Sequence, residues 1–206
     1  VLHDDVWTEV PIVGGPSARV GAALAYDTQR GNLVMFGGAG ESGGFDADVP
    51  LGDTWIFDGA TWAEVPGGAP PARRWPLLAF DERRGVTVLY GGEAGTLEEP
   101  TQLTDTWEFD GTSWTPRLVA SPPARDRGAM AYDPMLGVVS LFGGRQTGLG
   151  SSAHAHWLYD GAAWTAVVRC QNGRRNVVDC GGGRDLAVVD AVDVVRGCER
   201  VVRPRA

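Results

Sequence analysis

The chain has 206 residues, 43% of them hydrophobic, with 30 glycines and a formal net charge of −8. No apolar run approaches the roughly 20 residues of a membrane-spanning helix, so no membrane span is expected. Residues 1–168 carry 10 arginines against 21 acids, a net of −11, which argues against nucleic acid as a partner because phosphate binding needs a clustered positive field.

The chain opens on Val1-Leu2-His3-Asp4-Asp5, which is not a charged-then-apolar leader. Leu2 and Trp7 align with Phe57 and Trp62, so these residues read as the last hairpin of an earlier unit. Three copies of one unit follow. Ala25-Tyr26-Asp27, Ala79-Phe80-Asp81 and Ala131-Tyr132-Asp133 recur at intervals of 54 and 52. Gly37-Gly38, Gly91-Gly92 and Gly143-Gly144 keep the same intervals, and Trp55, Trp107 and Trp157 follow at 52 and 50. Trp62, Trp114 and Trp164 complete each copy, and Arg19, Arg73 and Arg125 lead it. A period near 50 signals a repeat architecture.

Each unit reads as four short strands, expected in the second copy at 77–80, 86–90, 105–109 and 113–116. The first hairpin turns at Asp81-Glu82-Arg83-Arg84-Gly85, where glycine supplies a positive φ. Asp58-Gly59, Asp110-Gly111 and Asp160-Gly161 mark the second hairpin of each copy. Four antiparallel strands per 50 residues make one propeller blade.

The units resemble kelch repeats. The matching residues are Arg19…Leu33-Val34-Met35-Phe36-Gly37-Gly38…Asp53-Thr54-Trp55…Trp62 and Arg73…Val86-Thr87-Val88-Leu89-Tyr90-Gly91-Gly92…Asp105-Thr106-Trp107…Trp114. The third copy is Arg125…Val138-Val139-Ser140-Leu141-Phe142-Gly143-Gly144…His156-Trp157…Trp164. The resemblance implies an all-β kelch-type propeller of the galactose-oxidase central-domain kind. Residues 1–168 would form an open arc of three complete blades, at about 17–66, 71–118 and 123–168, plus part of a preceding blade. A ring takes about four to eight blades, so about six or seven are expected in the native protein, and missing blades or a partner should cover the open ends.

Residues 169–206 break the pattern, carry a net of +3 and hold all three cysteines, Cys170, Cys180 and Cys198. They read as a non-repeat tail: disordered, mispredicted and out of register with its true gene, or a small disulfide-bearing segment. An odd count establishes no framework, and no Cys-x2-Cys suggests zinc. All 18 basic residues of the chain are arginine, which points to a high-GC, bacterial coding sequence.

Candidate binding residues follow from loop placement. Long connections at 39–52, 93–104 and 145–155 emerge on the face where Arg19, Arg73 and Arg125 begin the inner strands. Trp75 replaces Gly21 beside Arg73 and offers a flat ring for sugar or peptide contact. Against this stands a structural reading, in which each arginine ties its blade through a carboxylate or carbonyl and Trp75 packs between blades. Asp46 and Asp48, with Asp53 nearby, offer carboxylates to calcium, but calcium needs about six or more oxygens and acids in a surface loop are usually just solvated. His154 and His156 share a strand face without a third ligand, so no metal is expected.

The resemblance implies a non-enzymatic binding module for a protein or carbohydrate ligand, in a secreted, periplasmic or surface protein. The alternatives are a purely structural array, or a carbohydrate-active enzyme such as an oxidase or sialic acid epimerase. The oxidase's copper site needs two tyrosines, two histidines and a cysteine linked to one tyrosine. The repeats contain no cysteine, so no cofactor or catalytic residue carries over.

Overall fold

The computed structural model describes residues 14–40, 49–68, 70–146 and 155–170, with Cys198 and short strands at 2–3, 6–7, 177–179, 185–189, 194–196 and 200–202. Every regular element among them is a strand, and among the described residues no helix is long and apolar enough to cross a membrane. β1 (Leu2–His3) and β2 (Val6–Trp7) pair as a hairpin, which is the expected fragment of a preceding blade. The first copy supplies β3 (Arg19–Val20), β4 (Ala23–Asp27), β5 (Asn32–Phe36), β6 (Ala39–Gly40), β7 (Val49–Pro50), β8 (Thr54–Phe57) and β9 (Trp62–Glu64). The second supplies β10 (Leu77–Asp81), β11 (Val86–Tyr90), β12 (Glu93–Gly95), β13 (Pro100–Gln102), β14 (Thr106–Phe109) and β15 (Trp114–Arg117). The third supplies β16 (Ala129–Asp133), β17 (Val138–Phe142), β18 (His156–Tyr159) and β19 (Trp164–Cys170).

Three up-and-down antiparallel blades result, β4-β5-β8-β9, β10-β11-β14-β15 and β16-β17-β18-β19. Turn chemistry sets their hairpins. The Asp27, Asp81 and Asp133 carbonyls each accept the N–H of a left-handed glycine four residues on, at 2.8 Å. The Asp58, Asp110 and Asp160 carboxylates accept the N–H groups two and three residues ahead, at 2.7–2.9 Å, which closes the second hairpin of each blade.

The blades pack face to face, and alternation along each strand decides which neighbour a side chain meets. Ala25, Val34 and Phe36 of the first blade meet Leu78, Leu89, Phe109 and Trp114 of the second. The opposite face of the second, Leu77, Ala79, Val88 and Tyr90, meets Val139, Leu141, Tyr159 and Trp164 of the third. The inner strand β10 is therefore buried along its whole length. The flanking blades each keep one open face, with Leu24 50% and Tyr26 57% exposed on the first and Phe142 55% exposed on the third. The ring is not closed.

The fourth-strand tryptophans of the second and third blades reach back one blade. Trp114 Nε1 donates to Thr54 Oγ1 at 2.8 Å, and its ring meets Phe36 edge-on at 5.4 Å. Trp164 Nε1 donates to Thr106 Oγ1 at 3.0 Å and packs on Tyr90 at 5.1 Å. Trp62, which the repeat would bury against the preceding blade, is only half-buried, because no more than a hairpin of that blade lies among the described residues.

The tail is built of parallel strands, which the sequence reading did not anticipate. β19 pairs in parallel with β21 (Asp185–Val189), and β21 with β23 (Arg200–Val202). β20 (Val177–Asp179) pairs in parallel with β22 (Val194–Arg196). Successive strands thus alternate between two sheets, one of which continues the third blade outward from its fourth strand. Ala187 and Val189 are buried there, with Val195 and Cys198 packed on them, and Cys198 is disulfide-bonded.

Trp114→Ala should cost about 3–5 kcal/mol, the range for a large buried aromatic, while Trp62→Ala should cost clearly less. Denaturant unfolding of the two variants checks the order, and equal costs would mean that Trp62 has a complete packing partner.

Candidate ligand-binding face

At the leading end of each inner strand the repeat arginine forms a node. In the first blade Arg19 Nη1 donates to Asp53 Oδ1 at 2.6 Å and to Gly37 O at 3.1 Å. Its Nη2 donates to Asp53 Oδ2 at 2.8 Å, and Trp55 Nε1 shares that oxygen at 2.6 Å. The second blade repeats this atom for atom. Arg73 binds Asp105 at 2.6 and 2.8 Å and Gly91 O at 3.0 Å, and Trp107 Nε1 binds Asp105 Oδ2 at 2.6 Å. The third blade keeps the arginine and not the acid. Arg125 donates to Gly143 O at 2.9 Å and Pro123 O at 3.0 Å, but alanine stands at 155. Arg125 Nη2 and Trp157 Nε1 are buried with no partner.

Burial alone would raise the Asp53 and Asp105 carboxyls. Hydrogen bonds from Arg19 and Trp55, and from Arg73 and Trp107, together with the arginine charges, outweigh it and hold both below the ordinary carboxylate range. At Arg125 burial wins and pushes the guanidinium down, with Tyr90 opposing.

The node also joins blade to blade. Gly38 N–H donates to Arg73 O at 3.0 Å and Gly92 N–H to Arg125 O at 2.9 Å. The preceding glycine is required by the same contact. A Cβ on Gly37 would stand 2.6 Å from Arg73 O, and one on Gly91 2.4 Å from Arg125 O, both at positive φ.

A charged network lies beside the nodes. Arg74 Nε donates to Glu93 Oε1 at 2.9 Å, and both residues are buried. Arg145 Nη2 reaches from the third blade to Glu93 and also bonds Asp126 at 2.9 Å. Gln102 Nε2 donates to Asp126 Oδ2 at 2.6 Å and to Arg145 O at 2.8 Å. Val20, Arg74 and Asp126 occupy one repeat column; Ala39, Glu93 and Arg145 occupy its cross-strand partner. The pair is apolar in the first blade, Arg–Glu in the second and Asp–Arg in the third.

Trp75 belongs to a third column, Gly21, Trp75 and Arg127, in which all three residues are left-handed, at φ 64°, 50° and 54°. That is unusual for tryptophan and arginine. Trp75 N–H donates to Gly21 O at 2.7 Å, and its indole lies so close over Gly21 that a Cβ there would come within 2.4 Å of it. The Arg127 guanidinium sits 3.6 Å from the indole centroid, well inside cation–π range. The three residues stack from blade to blade, with the indole half-buried and Arg127 exposed.

Arg19 and Arg73 thus have their guanidinium groups committed to internal carboxylates and carbonyls, Arg125 lacks a carboxylate, and Trp75 lies between a neighbouring backbone and Arg127. Arg127, Arg145 and the gap at Ala155 were missed in the sequence. Reading down the repeat columns exposes all three. Asp46, Asp48 and His154 lie outside the described residues. His156 Nε2 lies 2.6 Å from Ser140 Oγ, and no cluster of metal-ligating side chains occurs among the described residues.

No family model matches the chain. It is 30% identical over 122 residues to a putative adagio-like protein 2 of Oryza sativa subsp. japonica, covering 53% of this chain and 18% of the relative. Adagio-like protein 1 of the same plant is 31% identical over 122 residues, with the same coverage. Adagio protein 3 of Arabidopsis thaliana is 28% identical over 106 residues, covering 47% of this chain and 17% of the relative. The matched region thus spans less than a fifth of these relatives. The solved structure of YjhT superposes with a TM-score of 0.55 at 15% identity, over 73% of this chain and 46% of that one. The fold is that of a kelch-type propeller segment.

The depressed Asp53 and Asp105 pKa values fix a sign. A carboxyl whose pKa is lower folded than unfolded stabilises fully above its unfolded value, about 3.9, and that contribution is lost as pH falls through the folded value. Stability should therefore drop on acidification below about pH 4, and less steeply in an Asp53→Asn, Asp105→Asn double variant, as thermal melts across pH would show.

Proposed function

We propose that this segment is a non-enzymatic binding module whose Trp75–Arg127 platform receives a protein ligand. The observation that supports the reading most is the left-handed column. Two bulky residues are held there in a backbone conformation that glycine would adopt without strain, and their side chains form a flat, cationic, partly open surface beside the inner strands. Strain of this kind gathers at ligand clamps. Arg127 adds a half-exposed guanidinium group, which suits an acidic side chain of a partner. A sugar acid would meet the same surface, so carbohydrate is the second ligand class to test.

Chemistry on this face is disfavoured because Arg74, Glu93, Arg145 and Asp126 neutralise one another. The Ser140–His156 contact supports an enzyme less than it supports packing. It lies on the outer face of the third blade, and His156 takes the slot of Thr54 and Thr106, whose hydroxyls receive the next blade's tryptophan. The disulfide at Cys198 supports an oxidising compartment and hence a secreted, periplasmic or surface protein. Further blades of the native protein, about six or seven in all, would cover the exposed Leu24, Tyr26 and Phe142.

Trp75→Gly and Arg127→Gly restore the residue of the first blade and relieve the left-handed strain, so both should fold with melting temperatures no lower than the parent. Pull-down with the full chain, followed by titration of the captured partner and of a glycan array, should show affinity weakened at least tenfold in each variant. Unchanged affinity in both would remove the platform from the binding surface.

A further inference from the structure

The third blade holds a gap that the first two fill. In both complete nodes a single carboxylate oxygen, Oδ2, accepts from arginine Nη2 at 2.8 Å and from the following tryptophan Nε1 at 2.6 Å. In the third node those same two atoms, Arg125 Nη2 and Trp157 Nε1, are buried without partners. The backbone has not moved away. Gly143 N–H donates to Ala155 O at 3.2 Å, as Gly37 N–H does to Asp53 O at 3.1 Å and Gly91 N–H to Asp105 O at 3.4 Å. The carboxymethyl group is missing, Tyr90 beside Arg125 replaces the Phe36 of the preceding node and brings its hydroxyl to that guanidinium, and Arg125 Nη2 is left buried without a partner.

We propose that the gap beside Ala155 is a carboxylate-binding site, in which one ligand oxygen accepts from both Arg125 Nη2 and Trp157 Nε1. An arginine and an indole N–H converging on one point demand an acceptor, and a buried cation demands a negative one. A carboxylate meets both demands with the geometry that Asp53 and Asp105 already display. The way in is marked by those same residues, whose side chains are 22% and 36% exposed, and Ala155 is itself half-exposed. The carboxylate comes from a small free acid or from an acidic side chain of a partner. The site shares no residue with the Trp75–Arg127 platform, and its test is independent of that surface.

The test follows the assigned indole N–H signals of the full chain by NMR while sodium acetate is added at constant ionic strength, and separately while a blocked peptide with one glutamate is added. The Trp157 signal should move and saturate, and the Trp55 and Trp107 signals, already bonded, should stay. Ala155→Asp should shift the Trp157 signal toward those of Trp55 and Trp107, raise the melting temperature, and abolish the response to both ligands. Saturation by acetate assigns a free small acid, and saturation by the peptide at a tenfold or lower concentration assigns a partner's side chain. A Trp157 signal indifferent to both, or one that still responds in Ala155→Asp, overturns the site.

Discussion

An arginine that stays charged at any physiological pH, placed where little water reaches it, organises each blade. Its guanidinium holds the glycine carbonyl that ends the second strand and, in two blades, the aspartate that begins the third. Its own carbonyl receives the N–H of the preceding blade's second glycine. One residue thus fixes three neighbouring segments and the join between blades. Breaking a buried pair of this kind by removing one partner leaves an uncompensated charge, at a cost of about 3–5 kcal/mol, discounted here because the carboxylates are partly solvated. The first glycine of the pair is a consequence of the same node, since the neighbouring arginine carbonyl stands where its Cβ would go.

Repetition of the node leaves other columns free to differ, and their differences distinguish the blades. The cross-strand pair beside it is Val20–Ala39, then Arg74–Glu93, then Asp126–Arg145. Reversal of charge between the second and third blades lets Arg145 reach Glu93 across the join as well as its own Asp126. A matched set of charges allows this junction and penalises others, because a shifted blade order would face like charge with like. Buried ionic pairs contribute less to stability than to such discrimination in the best-attested cases.

Much of the fold was legible because each blade's requirements are local. The Asp-Gly turns, the alternation of β10 and β11 and the tryptophan spacing gave the four strands of the second copy to within one residue. The tail was not legible. Its strands are three to five residues long and pair in parallel with partners 14 to 19 residues away, so no hairpin turn or long alternation announces them. The half-burial of Trp62 was hidden for a related reason: burial depends on a neighbouring blade, not on the residue's own unit. At the site, the position of the repeat arginines was readable from the period, but their engagement was not. Whether a guanidinium is closed or open turns on residue 155, which lies 30 positions from Arg125 and becomes informative only when aligned with Asp53 and Asp105.

Gly21, Trp75 and Arg127 show how such a scaffold can vary its surface. A left-handed backbone at that point is imposed by the fold, since all three blades adopt it whatever the side chain. Glycine is the residue that satisfies it without strain. Where tryptophan and arginine stand instead, the backbone geometry is unchanged and the added side chains have only one direction to go, onto the preceding blade and out toward the open end of the inner strands. The indole then covers the neighbouring glycine, and the next guanidinium covers the indole. Side-chain identity in that column is thus uncoupled from the fold, which is the condition under which a repeat scaffold can change what it binds while keeping its shape.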